Sequence, residues 1–138
     1  MRSNKNFFGH KPFKFSQMTV RIDQIEALLL QRGYSVIHET SKKRGYQIGC
    51  GLPIYLNLTS STGETALIAY PDSGIDSQRY KQPDMRISER NYHSSNMRHF
   101  PKRMHTGLNP ISFGWGLTFT SLLAAEACLD YLEGKTTR

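Results

Sequence analysis

Two apolar runs, Ile54–Thr59 and Thr65–Tyr70, are separated by Ser60–Glu64, a stretch of hydroxyl residues around Gly63. Runs of this length joined by so short a polar segment leave little choice but an antiparallel hairpin, and the rest of the fold has to be built onto it. Upstream, Tyr34, Val36 and His38 alternate with Ser35, Ile37 and Glu39, the period of a strand rich in branched and aromatic side chains. A basic turn over Ser41–Gly45 then leads into a partner strand over Tyr46–Cys50, which Gly51 and Pro53 break. Pro71, Asp72, Ser73 and Gly74 close the fourth strand.

Helical spacing flanks this sheet on both sides. Ile22, Ile25, Leu28 and Leu29 form one apolar stripe of a helix predicted to run from a Ser16 cap to Arg32, stapled by Phe15 and Val20 and stopped by Gly33. Near the C-terminus, Ile111, Phe113, Trp115 and Leu117 alternate with two glycines as a short strand. A second helix over Leu122–Leu132 follows, with Thr118 or Thr120 as its cap and Gly134 as its stop. This order predicts an α+β fold: an antiparallel sheet of four to five strands, an N-terminal and a C-terminal helix on one face, and a long irregular basic segment. Residues 1–15 read as a partly ordered basic and aromatic arm, 16–134 as one domain and 135–138 as a polar tail.

The irregular segment, Arg79–His105, holds the clearest chemical signal. It carries seven Lys or Arg, three His and two acids, a net +5 within a chain whose total is +7. Lys42, Lys43 and Arg44 form a second cluster, and the first 20 residues contain four cations and no acid. Basic patches that converge on one surface attract phosphate, because clustered cations concentrate polyanions near them. The plain alternative is a solvated surface that binds nothing specific.

Catalytic patterns are weak beside this. His93, His99 and His105 are six residues apart and lack the paired spacing of a zinc site, while Cys50 and Cys128 have no cysteine companions and read as packing residues. A metal-dependent nuclease would draw on Glu64, Asp72 and Asp76, yet both aspartates sit in turn sequences where Asp bonds its own backbone. Neither a Gly-x-Ser-x-Gly elbow nor a phosphate-cradling loop is present. No cofactor is implied. With two cysteines, no apolar leader and acids inside the most apolar window, Ile111–Leu132, the expectation is a cytoplasmic chain without a membrane span.

The reading that follows is a small non-catalytic module binding nucleic acid or another polyanion through Lys42, Lys43, Arg44, Arg79, Lys81, Arg86, Arg90, Tyr92, Arg98, His99, Phe100, Lys102, Arg103 and His105. Guanidinium groups would fork onto phosphates and Tyr92 and Phe100 would stack on bases. A homo-oligomeric interaction module is the alternative, since Tyr, Arg, Met and Phe also favour protein interfaces. A metal-dependent nuclease comes third.

Overall fold

The computed structural model describes residues 19–60, 64–107 and 109–136. The basic and aromatic arm expected over 1–15, and the Ser16 cap, lie outside the described residues. The element order is α1 (Ile22–Gln31), β1 (Ser35–Glu39), β2 (Lys43–Gln47), β3 (Ile54–Asn57), β4 (Leu67–Ala69), β5 (Met85–Ile87), β6 (Tyr92–His93), β7 (Lys102–Arg103), β8 (Ile111–Phe119) and α2 (Leu122–Thr136). The fold is α+β as the sequence implies, but the sheet has eight strands rather than four or five.

Strands β1 to β4 form an antiparallel meander, and β8 joins the free edge of β4 with Leu67 opposite Leu117 and Ala69 opposite Trp115. The extra strands come from the segment read as irregular. Along its other edge, β8 pairs successively with β5 (Ile87 opposite Leu117), β6 (His93 opposite Phe113) and β7 (Arg103 opposite Ile111). The basic segment is therefore one interrupted strand laid along β8, broken by short excursions. Its paired pieces are two or three residues long, too short to register as alternation.

Helix α1 starts five residues later than the sequence reading placed it. The Arg21 backbone N–H is accepted by Gln24 Oε1 at 3.1 Å, and Val20 N donates to Phe119 O at 2.9 Å, so the chain before α1 is held to the end of β8. Ser121, not Thr118 or Thr120, caps α2, its Oγ accepting Ala124 N at 3.1 Å. Gly134 lies inside α2 rather than ending it.

Strand alternation sorts the core into two layers. Ile54, Leu56, Leu67, Ala69, Leu117 and Phe119 face the helices and pack with Ile25, Leu28, Leu29, Ala125, Cys128 and Leu129. On the opposite face, called the outer face below, Tyr55 and Ile68 pack with Met97 and Phe100. Those last two arrive on an excursion of the basic segment that leaves β8 where Ser94 N meets Ser112 O and rejoins it where Phe113 N meets Pro101 O, each at 3.0 Å. Two glycines make this cover possible. A Cβ on Gly114 would lie 2.5 Å from Ala69 O and 2.8 Å from the Phe100 ring, and one on Gly45 would lie 2.9 Å from the Tyr55 ring. No helix among the described residues is long and apolar enough to cross a membrane.

Candidate anion-binding face

The cations singled out in the sequence fall into separate environments. On the helix side, alternation along β2 turns Arg44 toward α1, where its guanidinium is bound by Glu26 and by Glu39, the latter at 2.7 Å. Tyr46 donates its hydroxyl to the same Glu26 carboxylate, and burial first, then that carboxylate, pushes the phenol up to about 12. Arg79 is likewise engaged: Asp76 accepts its Nε and, at 2.8 Å, its backbone N–H. That contact with Arg79 is the main reason the Asp76 carboxyl is held below its ordinary value. Arg44 is thus tied to acids on the helix side, whereas Arg79 is paired with Asp76 yet keeps a largely exposed side chain.

At the β5 edge, Lys81 and Arg86 line an open cleft of about 300 Å³ with Tyr80, Gln82 and Met85. Arg90 is exposed in the break between β5 and β6, and Lys42 is exposed in the turn before β2. Near the start of β8, Arg103 lies over the Phe113 ring at 4.9 Å, and His105 stacks on His93 at 3.9 Å between centroids with an 11° interplanar angle. Burial, followed by the charges of His105 and Arg103, keeps the His93 ring below its ordinary pKa.

The outer face gathers Lys43, Tyr92, Arg98, His99 and Phe100. Lys43 is 3% exposed, and its ammonium donates to Asn57 Oδ1 at 3.1 Å while lying 5.5 Å from the Tyr92 ring centroid. Burial, with a smaller contribution from Lys42, lowers its pKa. Every Asp and Glu in the sequence is among the described residues, and none of the ion pairs these residues form involves Lys43. Among the described residues, Lys43 is thus held by an amide oxygen and a π-face, without a carboxylate. Phe100, by contrast, is 3% exposed and packs edge-on against Tyr55 and Tyr70 at 5.0 and 5.3 Å. It is a core residue of this face, which removes it as a platform for stacked bases.

Two residues absent from the sequence-level set complete the arrangement. His38 of β1 places Nδ1 2.8 Å from the Tyr55 hydroxyl, and its ring lies 5.6 Å from that of His99, edge to face. Burial is the first cause of a lowered His38 pKa, and the charges of Arg98 and His99 are the next. The only sequence signal for His38 is its place in an alternating strand, and Tyr55 reads as one more apolar position in a buried run. No protein-family model and no curated protein matches the chain. Its functional reading thus comes from this geometry.

Among the described residues, no group of three or more His, Cys, Asp or Glu side chains is placed to hold a metal ion. Glu64 and Asp72 are exposed and Asp76 is committed to Arg79. Cys128 is buried, with its thiol pushed up to about 12 by that burial, whereas Cys50 lies exposed in a turn instead of in a strand interior.

Proposed function

We propose that this chain binds nucleic acid or another polyanion through the outer face of its sheet. The observation that carries the reading is Lys43, a buried ammonium with no carboxylate to neutralise it, on the same sheet face as the His38–His99 pair. Acids dominate the ties of the helix layer, while the outer-face cations rest on neutral and aromatic groups. Burial of an uncompensated charge costs stability, and a binding surface is one setting in which a fold retains it. Half-buried Tyr92 offers the remaining aromatic surface for a base, and exposed Lys102 extends the positive stripe along the β8 edge.

Arg98→Ala with Lys102→Ala is the test. Retention of single-stranded nucleic acid on the variant should fall, and the slope of log affinity against log salt should shrink by ~0.7 for each phosphate contact removed. Arg21→Ala, which removes an exposed cation at the start of α1, serves as the charge control. Equal retention by the double variant and the control rejects the assignment.

A further inference from the structure

Tyr55 is fully buried, so every hydrogen bond its hydroxyl makes must come from the protein around it. Its oxygen accepts the backbone N–H of His99 at 3.2 Å. The other partner is His38 Nδ1 at 2.8 Å. A phenol has one hydrogen, and with the His99 N–H already pointing at the oxygen, that hydrogen is satisfied by donation to Nδ1. The reverse arrangement, with His38 donating, would leave the buried Tyr55 hydrogen without an acceptor among the described residues, a costly loss for a buried polar group. Neutral His38 is thus fixed as the tautomer whose hydrogen is on Nε2. That nitrogen makes no hydrogen bond among the described residues and is not one of their buried unpartnered atoms, so it reaches the surface as a donor.

What surrounds this donor defines its ligand. Arg98 and His99 are exposed, and they are placed by neighbours that are not: Met97 and Phe100 are buried on Tyr55 and Ile68, and the His99 backbone is tied to Tyr55. One buried phenol therefore sets both the proton position on His38 and the location of the Arg98–His99 pair. A fixed N–H donor beside a guanidinium and a second imidazole suits a tetrahedral oxyanion, which presents several acceptor oxygens to donors from different directions. A carboxylate or an apolar group uses fewer of these donors.

We propose that His38, Arg98 and His99 form a subsite for a phosphate group, with Tyr55 as the positioning residue that holds His38 as an Nε2–H donor. This rests on the anion-binding reading of the outer face and specifies which group of the ligand is read there. The shared chemistry is the phosphate oxygens, whether of a phosphodiester backbone or of a free phosphate.

Nitrogen-15 NMR of the histidine rings in the full chain tests each part. At neutral pH His38 should show a protonated Nε2 and an acceptor Nδ1; the opposite tautomer overturns the proposal. Inorganic phosphate and a short oligothymidylate are then titrated separately against a chloride control. The His38 and His99 ring signals should move with both, His38→Ala should weaken phosphate binding about tenfold, and His38→Gln, which keeps an N–H donor, should restore most of it. Tyr55→Phe keeps the ring that packs on Phe100, yet it should mix the His38 tautomers and weaken binding about threefold to tenfold. Oligothymidylate that binds wild type and His38→Ala equally, without moving His38, sinks the subsite and leaves the wider surface standing. A response to inorganic phosphate with none to the oligonucleotide supports the subsite and removes nucleic acid as its source. Silence toward both overturns the subsite and the nucleic-acid reading together.

Discussion

The two faces of the sheet use the same kinds of side chain for opposite ends. Against the helices, cations are locked by acids: Arg44 joins β2 to Glu26 of α1, and Arg32 joins the end of α1 to Asp130 and Glu133 of α2, with Tyr34 donating to Glu133 at 3.0 Å. Across the outer face, Lys43 rests on an amide and a ring, and His38 rests on a phenol. A cation matched to a carboxylate has its field cancelled locally, and one matched to neutral groups projects its field outward. The difference teaches that partners, more than the number of charges, decide which basic residues can meet a ligand.

The largest expected effect comes from breaking the cover of the outer face. Gly114→Ala sets a methyl group against the Ala69 carbonyl, the Ile68 side chain and the Phe100 ring at once, all closer than 3.0 Å. Backbone cannot yield as a flexible side chain does, so destabilisation of about 3 kcal/mol or more is expected in urea unfolding. A variant as stable as wild type would mean that the Met97–Phe100 excursion does not pack as described.

Next in size is the contrast between faces. Arg44→Ala leaves Glu26 and Glu39 without their guanidinium, and it should cost about 2–3 kcal/mol of stability while retention on nucleic acid changes little. Arg98→Ala should do the reverse, lowering retention with a stability change within about 0.5 kcal/mol, because its side chain is exposed. The contrast collapses if the two substitutions affect binding alike.

These distinctions mark what sequence can and cannot reveal. The β3–β4 hairpin, the alternating β8 and the apolar face of α1 follow from period and turn chemistry, which are local properties. Met85–Ile87, Tyr92–His93 and Lys102–Arg103 become strands only because β8 supplies an edge to pair with, and no window of two or three residues carries that information. Lys43 looked like part of a basic turn and is a buried strand residue; Phe100 looked like a stacking ring and is core. The site suffers more than the fold, since Arg44 and Arg98 are equivalent in composition and are separated by the tertiary position of Glu26 on α1 and of Tyr55 on β3. His38 and Tyr55 are 17 residues apart, and nothing in either local pattern announces their hydrogen bond.

Lys43→Met sharpens the comparison from the side of stability. Methionine fills similar space without a charge to desolvate, and Asn57 Oδ1 keeps its bonds from Thr59 N and Thr59 Oγ1 at 3.2 and 2.7 Å. The variant should therefore be more stable by about 1 kcal/mol, while its affinity for nucleic acid falls. Lower stability together with unchanged binding would show that the lysine serves the fold alone.

The smallest effect is a difference in how the faces respond to acid. A lowered histidine pKa means that the unfolded chain takes up a proton near pH 6.5 that the native state resists, so His38 causes stability to decline as pH falls from about 6.5 toward its native value. Burial is the main origin of that resistance, with the Arg98 and His99 charges adding to it. Asp76 behaves in the other sense at lower pH. Its contact with Arg79 is present above the ordinary carboxylate value of 3.8 and is lost as the pH falls below it toward the depressed native value. Acid should weaken the outer face first and the Asp76–Arg79 tie later. His38→Gln removes a proton-binding group from the first window only, so its unfolding free energy should decline less than wild type between pH 6.5 and 5, with the remaining slope there including the share of His93. Parallel curves for the two proteins through that window would show that His38 takes up its proton in the folded chain as readily as in the unfolded one, so that neither burial nor the Arg98 and His99 charges hold it neutral.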